Sequence, residues 1–205
     1  MATALGVINM GLAHLAEITA SKRMTSVSRE NCNTDPQHAC LDFYDECKFE
    51  MLAYKDWSRA RKRKALTVSD DDPIIDGKWT YKYARPSDCL VIRAIIDTSE
   101  YEYEWELGVE ETAAVDYEWI YTSVADAYIR YTYPLEEARY TVGMAMLHSM
   151  ILAERVAMTV TADEKKVAMI TAKLHNRVEI LAQKLGASEG YVEDEHGQIS
   201  MTEGF

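Results

Sequence analysis

The chain has 205 residues, with 34 acidic and 22 basic side chains and a net charge of −12 at neutral pH. That length suits one domain, or one domain carrying an insertion, and it supports a core without disulfide staples. The acidity excludes a conventional DNA-binding domain, whose Lys and Arg must replace the counterions on phosphate. It suits a surface that nucleic acid passes without adhering.

The N-terminal segment carries Ile8, Leu12, Leu15 and Ile18 at helical spacing and predicts a helix over 3–23. A polar loop follows over 25–33. Asp35-Pro36 reads as a helix start, with Asp35 as cap and Pro36 in the first turn. The stripe Cys40, Tyr44, Cys47, Met51 and Tyr54 carries this second helix to about residue 61. Arg59, Arg61, Lys62, Arg63 and Lys64 would then crowd its C-terminus, where the macrodipole favours cations. With no stretch reading as a signal peptide, Cys32, Cys40, Cys47 and Cys89 are expected as free thiols, mostly small core residues.

From Leu66 the period changes. Asp70 to Pro73 and Asp76-Gly77 read as turns. Trp79, Tyr81 and Tyr83 alternate with polar residues, which predicts a strand. Cys89 to Ile96 reads as a buried strand. Tyr101, Tyr103, Trp105 and Leu107 alternate with Glu102, Glu104 and Glu106, giving one aromatic face and one carboxylate face. Strands are also expected near 119–123 and 128–133. Tyr outnumbers Phe thirteen to three, a bias that suits half-buried strands and interfaces.

Pro134 closes the sheet and opens a third helix with the stripe Tyr140, Met144, Leu147 and Ile151. Thr161 and Glu164 match a capping box for a fourth. That helix carries Val167, Ile170, Leu174, Val178, Leu181 and Leu185, and Gly186 is its expected stop. Residues 188–205 are polar, without Lys or Arg. The expected class is therefore α+β: a four-helix bundle with an inserted small antiparallel β-sheet and an extended C-terminal tail. The bundle would use residues 1–64 and 134–187, the insert 65–133 and the tail 188–205.

Motifs for chemistry are sparse. Neither His14, His148 nor His175 has a Glu three residues before it, so a di-metal carboxylate site lacks its spacing; only Glu193 and His196 match, in the tail. His148 and His175 could meet across the last two helices. No nucleophile elbow, phosphate loop or dinucleotide glycine run occurs. Neither catalytic residues, metal nor cofactor are expected. Two charge features stand out. Residues 97–118 hold nine acidic side chains and no base, and 59–64 hold five bases in six. Both read either as solvated faces or as a head-to-tail contact between copies, with Arg59, Arg61, Lys62 and Arg63 of one meeting Glu102, Glu104 and Glu106 of the next. Contacts of that kind generate rings.

Three stretches resemble the tail tubular protein A family, the head-to-tail adaptors of short-tailed phages. Leu12 to Ile18 is similar to the family's Leu-Gly-Glu segment, without its Gly. Cys40-Leu41-Asp42-Phe43-Tyr44-Asp45 through Leu52, Trp57, Ala60 and Leu66 resembles a Tyr-Asp helix followed by a Trp-x-x-Ala element. Trp79-Thr80-Tyr81-Lys82-Tyr83-Ala84-Arg85-Pro86-Ser87-Asp88-Cys89-Leu90 resembles a Trp-x-Tyr-x-Tyr-x-x-Pro-x-Asp-Cys-Leu signature, with Arg85 where an apolar residue is usual. Tyr121-Thr122 and Tyr131-Thr132 fit the later strands.

The resemblance implies a non-enzymatic virion protein at the portal vertex. It would form a ring of twelve copies between portal protein and tail nozzle protein, a conduit for DNA with no membrane contact. It also implies that residues 188–205 clasp the portal, with Tyr191, Val192, Ile199, Met201 and Phe205 as contacts. The alternatives are a helical scaffold or interaction protein unrelated to phage, and an enzyme with a cryptic carboxylate site.

Overall fold

The computed structural model describes residues 1–16, 23–69, 78–111, 116–160, 164–188, 191–193 and 199–201. The chain divides into two compact units, one made of residues 1–55 with 135–205, the other of residues 56–134.

In the first unit, helix α1 (Ala4–His14) starts at Thr3, whose hydroxyl accepts from the Gly6 amide at 3.1 Å. It is shorter than its sequence pattern predicts, and Asn9 supplies the reason. The Asn9 side chain accepts from the Met24 amide at 2.7 Å and donates to the Met24 carbonyl at 3.0 Å. An unbroken helix would hold those two residues about 22 Å apart, so one helix cannot join Asn9 to Met24. Ile18 lies outside the described residues.

Helix α2 (Asp35–Tyr54) is preceded by Thr34 as its cap residue. Asp35 therefore sits inside the first turn, beside Pro36, rather than capping it. Cys40, Cys47 and Met51 are fully buried on its stripe, whereas Tyr54 is exposed. All four cysteines are free thiols, and three are buried. Burial pushes the Cys40 and Cys47 thiols up to about 12, so they stay protonated and pack as small apolar groups.

Helix α3 (Val142–Val160) begins later than Pro134. A 3-10 turn over Glu137–Arg139 precedes it. Met144, Leu147, Leu152, Ala153 and Val156 are all buried on it, on more than one face. Gly11 of α1 lies close to α3: a Cβ there would stand 3.4 Å from the Ser149 carbonyl. Helix α4 (Glu164–Ser188) runs through Gly186 instead of stopping there. Thr161, its expected cap, lies outside the described residues.

The expectation of a four-helix bundle is overturned. Among the described residues, α1 and α2 pack on α3 and on each other, while α4 packs on α3 with no comparable packing on α1 or α2. Among its described side chains only Leu174 and Val178 are buried. α1, at 11 residues, is also too short to line a bundle beside helices of 19 to 25. The layout is α+β with α3 as the central helix of its unit.

The second unit holds two antiparallel sheets, not one. The first has strand order β1-β7-β3-β4, the second β2-β6-β5. The strands are β1 (Arg61–Ala65), β2 (Tyr81–Ala84), β3 (Val91–Ile96), β4 (Glu102–Tyr103), β5 (Trp105–Glu111), β6 (Asp116–Thr122) and β7 (Tyr128–Thr132). Tyr83 and Ile120 from one sheet share a core with Ile95, Ile129 and Tyr131 from the other. The alternating Tyr/Glu stretch is thus split across both sheets, and its aromatic side is not a buried face: Tyr101, Tyr103 and Leu107 are exposed. Asp97 makes the turn before it, accepting from the amides of Ser99 at 2.7 Å and Tyr101 at 3.1 Å. The expected turns at Asp70 to Pro73 and Asp76-Gly77 lie outside the described residues. Beyond α4 the tail forms a hairpin of β8 (Tyr191–Glu193) and β9 (Ile199–Met201) rather than one extended segment.

Gly108 of β5 lies under the Tyr121 ring of β6, where a Cβ would stand 2.5 Å from a ring carbon. Gly108→Ala should destabilise the β unit by about 1–3 kcal/mol through overpacking. Thermal unfolding followed by near-ultraviolet circular dichroism checks this.

Candidate assembly interface

The basic run does not end a helix. α2 stops at Tyr54, Arg59 falls in a 3-10 turn (Ser58–Ala60), and Arg61 to Lys64 form β1 against β7. A strand at an edge turns such side chains to solvent, and Lys62 to Ala65 are exposed. The macrodipole explanation is replaced by local pairing. Arg61 holds Asp56 at 2.9 Å and Lys62 holds Asp88 at 2.6 Å. Arg63 holds Glu100 at 2.8 Å. Lys62 also lies over the Tyr133 ring, and Arg63 over Tyr128.

Asp88 ties three parts of the unit together. Besides Lys62, it accepts from the Tyr131 hydroxyl at 2.9 Å. The Lys62 ammonium, ahead of that hydroxyl, holds its carboxyl below the usual range. The preceding turn is closed by the Cys89 amide on the Pro86 carbonyl at 2.9 Å. Arg85 donates to the Cys89 carbonyl at 2.7 Å and pairs with Glu118. The stretch Trp79 to Leu90 is therefore spent on local architecture, and Arg85 fits because its guanidinium satisfies the part-buried carbonyls of Cys89 and Leu90.

Two of the three glutamates expected at the contact have partners for their carboxylates too. Glu102 pairs with Arg130, and Glu106 accepts from Trp79 Nε1 at 2.9 Å. Glu104 is exposed, and its carbonyl accepts from Thr122 Oγ1 at 2.9 Å. The structure thus places Arg61, Lys62 and Arg63 on one sheet edge and Glu102, Glu104 and Glu106 on or beside β4 and β5. It does not bring the two sets together within one chain. The counterions Asp88 and Glu100 escaped sequence reasoning because each pairs across the fold, and Asp56, five residues before Arg61, escaped it because a helix was expected to run through that stretch. An open cleft of about 590 Å³ lies against this stretch, lined by Lys78, Trp79, Tyr103 and Trp105 with Glu102 and Glu104.

In the tail hairpin Tyr191 stands opposite Met201, Val192 opposite Ser200 and Glu193 opposite Ile199. Phe205 and His196 lie outside the described residues.

His148 and His175 do not form a pair. His148 is fully buried; its Nε2–H donates to the Tyr44 carbonyl at 3.2 Å, and its ring lies 4.7 Å from that of Tyr44. Its Nδ1 has no hydrogen-bond partner among the described residues. His175 is exposed and lines a cavity of about 210 Å³ with Glu154. Burial raises the Glu154 carboxyl, against the opposing pull of His175. Nearby, Glu137 accepts from Lys48 at 2.8 Å and from the Tyr44 hydroxyl at 3.2 Å. Burial is the largest influence and would raise its carboxyl, but the Lys48 ammonium, a backbone amide and the Tyr44 hydroxyl together outweigh it and lower the carboxyl. Among the described residues no cluster of three His, Cys, Asp or Glu could hold a metal ion. No described helix is long and apolar enough to cross a membrane.

No protein-family model matches the chain, and no curated protein matches it as a relative.

Burial holds the His148 imidazole down to about 4, against opposing pulls from the Tyr44 carbonyl and Glu137. The unfolded chain binds that proton near 6.5, so folding stability falls as pH drops from about 6.5 to about 4. The full loss is roughly 3 kcal/mol, from about two and a half pKa units. Urea titrations across that window check this, and a His148→Gln variant should lose most of the slope between pH 6.5 and 4.5, leaving the carboxylates' contribution below it.

Proposed function

We propose that the chain is a structural subunit of a short-tailed phage virion, forming an adaptor ring between portal and tail nozzle. One observation carries the reading: a helical unit assembled from both ends of the chain is interrupted by an all-antiparallel β unit whose signature residues are spent on architecture. Trp79, Tyr83 and Cys89 are buried, and Asp88 locks a turn to two strands. Side chains used in that way support a building block, whose work is contact.

The charge pattern supports the same reading. A ring of copies with net charge −12 each repels phosphate, so DNA slides through its bore without a lysine holding the backbone. The resemblance supplies twelve as the expected number of copies and the portal vertex as the location. Residues 188–205 are then the segment that docks on the portal, through Tyr191, Val192, Ile199, Met201 and Phe205. No catalytic step, metal or cofactor enters this role.

Negative-stain images of the protein mixed with the portal encoded by the same genome should show closed rings capping the portal. Particles that remain monomeric and ignore the portal would overturn the proposal. Deleting residues 188–205 should leave the far-ultraviolet circular dichroism of the helices and sheets largely unchanged and weaken portal attachment. Undiminished co-sedimentation with the portal would remove the clasp from the account.

A further inference from the structure

Among the described residues, most strand edges in the β unit are already occupied. β7, β3 and β6 have neighbours on both sides. On the outer side of β2, Val68 bridges to Tyr83 and the Ser69 amide donates to the Lys82 carbonyl at 2.9 Å. β4 has two residues. The long open edges are β1, with five residues, and β5, with seven.

The ladders fix which backbone groups face outward. The Tyr133 amide donates to the Ala60 carbonyl at 2.9 Å and the Leu66 amide to the Ala127 carbonyl at 2.8 Å. Even-numbered residues of β1 therefore face β7, and Arg61, Arg63 and Ala65 turn their N–H and C=O groups away. On β6, the Arg85 amide donates to the Glu118 carbonyl at 3.2 Å, so its even-numbered residues face β2 and its odd-numbered ones face β5. Given the register, Glu106, Gly108 and Glu110 point inward, and Trp105, Leu107 and Val109 offer their backbone groups at the free edge. Leu107 and Val109 are 40% and 61% exposed.

Charge then decides what each edge can accept. β1 is Arg-Lys-Arg-Lys-Ala, and β5 carries three Glu and no base. Pairing β1 with β1 sets cations against cations, and β5 with β5 sets carboxylates against carboxylates; both are disfavoured. Only β5 on β1 brings opposite charges together. The ion pairs that Lys62 and Arg63 make within the chain are solvent-exposed, hence weak and open to exchange. β1 is also the opposite edge of its sheet from β4, and β4 runs into β5 through Glu104 alone. The two free edges thus lie at opposite ends of the β unit, so a contact between them is head-to-tail and repeats.

We propose that the free edge of β5 in one copy adds to the free edge of β1 in the next, joining copies by backbone hydrogen bonds between strands of opposite charge. This rests on the ring reading above and gives it a mode of assembly. It differs from a contact of side chains alone in requiring the outward N–H groups.

The full chain is tested by sedimentation velocity and by imaging beside the portal. Val109→Pro removes an outward N–H and leaves the β6 ladder in place. Losing a hydrogen bond and its neighbour's alignment should weaken self-association about tenfold or more. Lys64→Glu and Glu104→Lys should each weaken it as well. An equimolar mixture of those two variants should recover assembly, since native edges meet at one junction and the two reversed charges meet at the next, and misfolded chains would not recover. Variants that assemble like the wild type, or a mixture that fails to recover, overturn the strand pairing while wild-type rings leave the ring reading standing. A wild type that stays monomeric both alone and beside the portal overturns both.

Discussion

α3 has apolar or neutral side chains on nearly every side, and the helical unit is arranged to cover them. α1 reaches it through Gly11, α2 through the buried stripe of Cys40, Cys47 and Met51, and α4 through Leu174 and Val178. Each large aliphatic side chain so covered contributes about 1.5–3 kcal/mol. The His148 imidazole, buried in that interior beside Tyr44 and Tyr140, is tolerated because it is neutral and donates to the Tyr44 carbonyl. A charge there would be fully buried, and burial of an unpaired charge is among the costliest changes a core can suffer.

The β unit solves a different problem. Its strands are short, so registry is held by tyrosine hydroxyls and ion pairs as much as by packing. Tyr83 donates to the Val124 carbonyl at 2.6 Å and Tyr131 to Asp88 at 2.9 Å. A phenylalanine in either place would bury as well and fix nothing, which gives physical meaning to the excess of Tyr over Phe. The same economy explains why β1 can be so basic. Lys62 and Arg63 lie across from tyrosines and carboxylates that belong to distant parts of the chain.

What the sequence made legible followed from periodicity. Tyr140, Met144, Leu147 and Ile151 are all buried, as their spacing implied; the strand near 128–133 forms within a residue of its expected place, and the one near 119–123 forms but begins three residues early, at Asp116. The misreadings came from tertiary contacts. Nothing local in Arg59 to Lys64 distinguishes a helix end from an edge strand; pairing with β7 decided it. The Tyr101-to-Leu107 alternation gave the strand but concealed the crossing at Glu104 from one sheet to the other. The bundle failed because a clean stripe on α4 says that the helix has an apolar face, not how many neighbours share it. Of the candidate interface, the charged residues were visible and the counterions Asp88 and Glu100 were not, since sequence separation hides a contact across strands.

The pairing of β1 with β7 joins the entrance and the exit of the inserted unit, with Ala60 and Tyr133 sharing a backbone hydrogen bond at 2.9 Å. A segment of nearly eighty residues therefore leaves and re-enters its host at almost one place, and it constrains the flanking helices little more than a tight hairpin would. Such an arrangement makes the two parts separable in evolution: strands can lengthen, loops can be exchanged, or the whole insert can be lost or replaced, while the host keeps its packing.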